Sequence, residues 1–175
     1  MRLKDKVAVV TGAGQGMGRA IARRFAAEGA TVVAMDLNVQ AAQETVAGGS
    51  GVAMQINIAD SAAVSAAFDE IVARLGRVDV LVNNAGVGSV DAFADIADDT
   101  WARVIGVNLN GAFYCARAAV RAMKQGGRPG CVINVASTAA VSGDGPAHYC
   151  ASKAALMGLT RSMAKELASA GIRVN

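Results

Sequence analysis

Short continuous apolar runs alternate along this chain with longer stretches of helical periodicity. Val7–Thr11, Thr31–Asp36, Val52–Ile56, Val78–Val82 and Cys131–Ala136 are apolar and rich in β-branched residues. Bounded by glycines or polar residues, they read as buried strands. Ile172–Val174 reads as the start of a sixth. Helical spacing runs over Met17–Glu28 and stops at Gly29. Asn38 precedes a second helix over Val39–Ala47, and Asp60 or Ser61 caps a third that ends near Leu75. Thr100–Lys124 and Ala147–Ser169 are two long helices. Asn83–Asp99 and Ser137–Pro146 carry no periodicity and read as loops.

Continuous apolar strands separated by helices predict an α/β fold, a parallel sheet covered by helices on both faces. One domain spanning residues 1–175 accounts for the whole pattern, with no repeat or linker. Ligands of such sheets bind at the carboxyl ends of the strands. The residues just after the first, second, fourth and fifth strands are therefore the candidates for chemistry.

Composition narrows the class. Apolar residues make up 53% of the chain, with 20 Gly and only 2 Pro. That suits helices lying close to a sheet. The net charge is +3, and Arg19, Arg23 and Arg24 form only a solvated helix face, so no nucleic-acid partner is expected. Cys115, Cys131 and Cys150 are odd in number and lack metal-ligand spacing. They predict free thiols in a reducing compartment and no metal site. The charged start, with no signal peptide and no membrane-spanning run, predicts a cytoplasmic location without membrane attachment.

The first strand leads into Thr11-Gly-Ala-Gly-Gln-Gly-Met-Gly18, with Gly12, Gly16 and Gly18 as the spaced glycines. Such a turn allows close backbone approach to a pyrophosphate, and the following helix offers free N–H groups and a positive dipole end. Asp36 ends the second strand, where an acid can accept hydrogen bonds from ribose hydroxyls and repel a 2′-phosphate. Leu37 is neutral and Gln15 is not basic. The charges favour NAD over NADP.

Tyr149 and Lys153 stand at i and i+4 on the last long helix, on one face. Alone, such a pair would mark a solvated stripe. Beside a cofactor loop it suggests a phenol acid/base whose anion is favoured by the ammonium. Bringing a phenol from pKa ~10 to near neutrality takes roughly 4 kcal/mol, which a lysine and a cationic nicotinamide can supply together.

With these motifs in order, the chain resembles the short-chain dehydrogenases/reductases. Thr11-Gly-x3-Gly-x-Gly18, Asn83-Asn-Ala-Gly86, Asn108 in Val-Asn-Leu-Asn-Gly111, Ser137 and Tyr149-x3-Lys153 match the family's signatures. The resemblance implies a Rossmann-type doubly wound sheet and hydride transfer between a nicotinamide cofactor and a secondary alcohol or ketone. It implies that Tyr149 is the acid/base and that Lys153 lowers its pKa and binds the nicotinamide ribose. Ser137 would donate to the substrate oxygen, and Asn108 would hold a water linking Lys153 to solvent. It places Gly12, Gly14, Gln15, Gly16, Met17, Gly18, Asp36, Leu37, Asn57, Ile58, Asn84, Ala85 and Gly86 around the cofactor, together with Tyr149 and Lys153. Asn83 and Asn84 are also expected to satisfy backbone groups between strands.

The chain departs from the family pattern at three points. Ser137 lies one residue closer to Tyr149 than in many members, and the frequent second serine is Ala136 here. Asn57 takes the place of the common Asp near the adenine. The chain stops at Asn175, where family members run on, so the expectation is a domain lacking its C-terminal strands and weak in stability and catalysis by itself.

The expected pocket walls, Gly88–Phe93 and Thr138–His148, contain no Arg or Lys. They predict a small neutral alcohol or ketone substrate. His148 is expected to be a loop histidine meeting substrate or solvent. Thr100–Lys124 and Ala147–Ser169 carry more apolar residues than one core-facing stripe needs, and family helices like these form dimer interfaces, which predicts a homodimer or homotetramer. Two other readings are an NADPH-dependent reductase of 3-oxoacyl thioesters, which Asp36 and Gln15 oppose, and a non-catalytic nucleotide-binding protein, which the complete set of Asn108, Ser137, Tyr149 and Lys153 opposes.

Overall fold

A computed structural model describes all of residues 1–175. Its strands are β1 (Val7–Thr11), β2 (Thr31–Asp36), β3 (Val52–Gln55), β4 (Val80–Asn83), β5 (Gly130–Asn134) and β6 (Ile172–Val174). They form one six-stranded sheet in the order β3-β2-β1-β4-β5-β6, with every pair parallel. The helices are α1 (Gly16–Ala27), α2 (Val39–Val46), α3 (Ser61–Leu75), α4 (Asp98–Ile105), α5 (Ala112–Gln125), α6 (Ala139–Ser142) and α7 (Ala147–Leu167). This is the Rossmann-type doubly wound arrangement. The chain reverses its direction across the sheet between β1 and β4, which opens a crevice at their carboxyl ends.

Strand side chains alternate between two cores. Val7 and Val9 of β1 join Val33, Met35 and Leu81 in one core, against Phe68 and Ile71 of α3 and Cys115, Ala116 and Ala119 of α5. Ala8 and Val10 point the other way, joining Val32, Ala34 and Val82 against Ala22 of α1 and Ala42 of α2. The small buried residues of α5 let that helix lie close on the sheet.

Local signals set the helix ends. Asn38 Oδ1 accepts from the Ala41 N–H at 3.1 Å. Asp60, rather than Ser61, caps α3, accepting from the N–H groups of Ala62 and Ala63 at 2.9 and 3.0 Å. Gly76 closes α3 in the left-handed region at φ 74°.

Several boundaries differ from the sequence reading. β4 starts at Val80 rather than Val78, because Asp79 turns inward and its Oδ2 accepts from the Val7 N–H at 2.9 Å. β3 stops at Gln55, and β5 ends at Asn134 rather than Ala136, where the chain leaves the ladder toward the site. The helix expected over Thr100–Lys124 is α4 and α5 joined by a π-helical segment, Gly106–Gly111. Two glycines weaken regular helix there. A side chain at Gly111 would meet Ile58 Cδ1 at 2.8 Å, so close packing demands glycine. The Ser137–Pro146 loop contains α6, and α7 ends at Leu167 before a short 3₁₀ turn, Ala168–Ala170. No helix is long and apolar enough to cross a membrane.

Candidate active site

The crevice at the β1–β4 switch is a cleft of about 370 Å³. It is lined by Gly12, Gln15, Gly16, Met17, Gly18, Asp36, Leu37, Asn57, Ile58, Asn84, Ala85 and Gly86, all of them expected around the cofactor. Met35, Ile56, Val87 and Val107 line it too and were not expected. Met35, Ile56 and Val87 each adjoin a residue expected around the cofactor, so adjacency was the available signal; Val107 comes from the π-helical segment beside Asn108 and had none.

Gly14 lies beneath the cleft rather than on its wall. Its N–H donates to Asp36 Oδ2 at 2.7 Å, and a side chain there would strike that carboxylate. Its carbonyl accepts from Arg19, whose guanidinium also reaches Ala41 O and Glu44. Arg23 donates to the Glu44 carbonyl at 3.2 Å, and Arg24 pairs with Glu28. The three arginines are thus not one solvated face, since Arg19 ties the glycine loop to α2.

Asn84 fastens the other side of the loop. Its Nδ2 donates to Thr11 O and Gly12 O at 3.0 and 3.2 Å, while Thr11 Oγ1 accepts from the N–H groups of Asn84 and Ala85. Asn83 is buried and donates to Ala112 O and to Asn134 Oδ1, which joins β4 to β5. Both asparagines therefore satisfy groups between strands, as the sequence suggested. Gln15 precedes α1 without a side-chain cap, and no cationic side chain lines the cleft. An uncapped helix start and a carboxylate at the end of the second strand suit a dinucleotide.

Beyond Gly86 the cleft meets α7. Lys153 is almost fully buried, donates to Val135 O at 2.6 Å and sits 5.8 Å from the Tyr149 ring centroid. Burial without a carboxylate partner pushes its pKa below the ordinary lysine value. Tyr149 shares that face, and its hydroxyl makes no hydrogen bond to protein. Side chains built at Gly86 and Gly88 would lie 3.5 Å from Lys153 Nζ and 3.6 Å from Tyr149 Cδ2, so both glycines bring the loop backbone against the pair. Ser137 follows β5, and its Oγ accepts from the Ala139 N–H at 3.2 Å, which starts α6.

Asn108 occupies the π-helical segment and is buried. Its Oδ1 accepts from the Val87 N–H at 2.7 Å, and its Nδ2 donates to Val87 O and to Ser152 Oγ at 2.9 and 3.1 Å. Both Nδ2 hydrogens and one of the two Oδ1 lone pairs are thereby committed to protein. Asn57 keeps an exposed position on the cleft, with Oδ1 accepting from the Ala59 N–H. His148 differs from expectation. It lies in the first turn of α7, fully buried, with Nε2 2.7 Å from Ser89 Oγ. Cys150 is half-buried, and its Sγ lies 3.4 Å from Gly145 O.

A family model described as short chain dehydrogenase matches residues 6–175. The meso-2,3-butanediol dehydrogenase of Serratia marcescens is 41% identical over the whole chain, which spans 70% of that protein. The 3-oxoacyl-(acyl-carrier-protein) reductase of Escherichia coli is 38% identical over the whole chain and 72% of its own length. The crystal structure of a short-chain type dehydrogenase/reductase from Mycobacterium marinum superposes with a TM-score of 0.94 at 35% identity, covering 99% of this chain and 71% of that one. The chain belongs to the short-chain dehydrogenase family, whose members are oxidoreductases that bind nicotinamide cofactors.

Proposed function

We propose that this chain carries the reaction centre of an NAD-dependent dehydrogenase, or ketone reductase, acting on small neutral secondary alcohols. The observation that carries the reading is the approach of Gly86 to Lys153 and of Gly88 to Tyr149, beside a cleft that Gly86 and Asp36 both line. The 41%-identical relative is named for a secondary diol, which agrees with the substrate class.

Bound NAD would supply the hydride acceptor at the Lys153 end of the cleft. Tyr149 Oη takes the proton of the alcohol as the carbon loses its hydride, and returns it in the reverse direction. The Lys153 ammonium favours the phenolate, an effect strengthened by its dry surroundings. The hydroxyl proton of Ser137 has no protein acceptor and is free to donate to the substrate oxygen, stabilising charge that develops there. Asn108 holds Val87 in place, and the second lone pair of its Oδ1 leaves it able to hold a water linking Lys153 to solvent. Asp36 accepts the ribose hydroxyls and disfavours a 2′-phosphate.

A second reading, NADPH-dependent reduction of 3-oxoacyl thioesters, is favoured by the 38%-identical reductase and opposed by Asp36 and by a cleft without a cationic side chain. Assembly as a homodimer or homotetramer and a cytoplasmic location complete the proposal. Light scattering of the purified protein tests the first. The decisive experiment is a screen of NAD and NADP reduction over neutral secondary alcohols and polyols. Wild type should turn over with NAD at least tenfold faster, and Tyr149→Phe should lower kcat roughly 10²–10⁴-fold while cofactor binding persists. Faster turnover with NADP, or an active Tyr149→Phe protein, would refute the reading.

A further inference from the structure

The segment after β4 is joined to α7 by three side chains other than the proposed catalytic groups. His148 Nε2 lies 2.7 Å from Ser89 Oγ, Ser89 Oγ contacts Asp91 Oδ2, and His148 Nε2 lies 4.0 Å from that carboxylate oxygen. A carboxylate accepts hydrogen bonds and does not donate, while a serine hydroxyl has one proton. The Ser89 proton therefore goes to Asp91, and Ser89 Oγ accepts a proton from His148. This direction fixes the ring tautomer with hydrogen on Nε2. It agrees with the other ring nitrogen, because Nδ1 is buried without a partner and a buried N–H left unpaired is rare.

We propose that His148, Ser89 and Asp91 form a directed latch that holds the β4–α4 loop over Tyr149, making His148 a positioning residue for the reaction centre. The loop is pinned at three successive places. Asn108 holds both backbone groups of Val87, Gly88 packs toward the Tyr149 ring, and Ser89 is held by His148. Within and just after the latch, the side chains of Val90 and Phe93 are almost fully exposed. His148 immediately precedes Tyr149, so release of the latch frees the loop wall and the first turn of α7 together. Catalysis is steeply sensitive to such misplacement.

The kinetic consequence rests on the dehydrogenase reading, whereas the latch does not, and the experiment separates them. The chain contains one histidine, so its ring nitrogens can be assigned by ¹⁵N NMR without ambiguity. The expected state at neutral pH is protonated Nε2 with an unprotonated Nδ1, and the opposite tautomer overturns the proposal. Amide exchange over residues 87–92 should quicken at least about tenfold in Ser89→Ala and in His148→Leu but not across β1–β3. His148→Gln, which keeps a donor near the Nε2 position, should restore wild-type exchange. Unchanged exchange in Ser89→Ala overturns the latch whether or not the protein is active. In the NAD-linked assay, Ser89→Ala should lower kcat roughly tenfold with KM for NAD unchanged, and His148→Gln should stay within about threefold of wild type. Faster exchange without loss of kcat would assign the three residues to loop order alone and overturn the positioning role. An inactive wild type that shows the expected tautomer and exchange would refute the dehydrogenase reading and leave the latch standing.

Discussion

The carboxylate of Asp36 holds the glycine loop from below, accepting the Gly14 N–H through Oδ2 at 2.7 Å while Oδ1 accepts from the Asn38 N–H at 3.0 Å. The residue proposed to choose between ribose hydroxyls and a phosphate is also a structural support of the loop that would carry the diphosphate. Four lone-pair positions on a carboxylate leave room for both duties.

Replacement of Asp36 should therefore do more than switch cofactors. Asp36→Ala removes hydrogen bonds to a charged group, each worth about 1.5–3 kcal/mol, so kcat/KM with NAD should fall roughly 10–100-fold. NADP should gain, yet stay well below wild type with NAD, because Gly14 loses its anchor. Asp36→Asn keeps an acceptor for the Gly14 N–H and should retain more activity. Steady-state kinetics with both cofactors decide the matter. An Asp36→Ala protein as efficient with NADP as wild type is with NAD would show that the Gly14 contact is immaterial.

The parts of this site that follow from spacing were legible in the sequence. Strand ends, glycine positions and the Tyr149–Lys153 interval are local patterns; the cleft gathers the strand ends and most of the glycines, and Lys153 and Tyr149 lie just beyond it against Gly86 and Gly88. What escaped depends on contacts distant along the chain. The inward turn of Asp79 arises from Val7, and burial of His148 arises from Ser89, 59 residues earlier. The π-helical segment carries no distinctive composition beyond its two glycines, and its cause includes Ile58, far away in sequence. Arg19 looked like one of three solvated arginines because nothing local shows that its guanidinium reaches Gly14 and α2.

Two glycines of the cleft should respond differently to alanine. A methyl group at Gly18 would collide with the Gly12 carbonyl oxygen and lie 2.5 Å from Asn84 Nδ2, both parts of a tightly fastened turn. Gly18→Ala should lower stability by roughly 1–3 kcal/mol, as overpacking does, and weaken cofactor binding with it. At Gly86 the same methyl would meet Asn108 Oδ1 and Lys153 Nζ at 3.4 and 3.5 Å, close to ordinary contact. Gly86→Ala should keep stability within about 1 kcal/mol of wild type while cofactor affinity falls, because backbone approach is lost. Urea unfolding and cofactor titration on both variants separate the cases, and equal loss of stability in the two would contradict the difference in packing.

Burial of Cys115 gives the fold an alkaline weakness. Desolvation pushes its thiol up to about 12, whereas an unfolded cysteine titrates near ~8.5. Below the unfolded value the contribution is fully present. As pH rises from there toward 12 the unfolded chain releases its proton first, and stability is lost. Cys115→Ala carries a cavity cost that does not depend on pH, so the advantage of wild type over this variant should shrink steadily above about pH 8.5. Denaturant melts along that range measure it. In the folded protein a thiol reagent should modify Cys150 well before Cys115 or Cys131, which are buried.

Lys153 should tilt stability the opposite way. Its ammonium is nearly enclosed, bonded only to Val135 O, and desolvation lowers its folded pKa below the ordinary lysine value near ~10.4. The group is charged in both states at low pH, so folding bears the full desolvation penalty there. Once pH rises through the lowered folded value, the native state gives up its proton while the unfolded chain keeps it. Stability then grows with pH until the unfolded lysine titrates too, and it is lost again as pH falls back through the folded value. Lys153→Met removes this slope along with the charge beside Tyr149. The stability of wild type relative to Lys153→Met should therefore increase between neutral pH and about 10, the reverse of the Cys115→Ala comparison. In wild type the two slopes oppose each other and partly cancel, which is why each must be read from its own variant. A wild-type minus Lys153→Met difference that stays flat or falls over that range would mean that Lys153 is not desolvated in the folded protein, and the strengthening of its effect on Tyr149 by dry surroundings would fall with it.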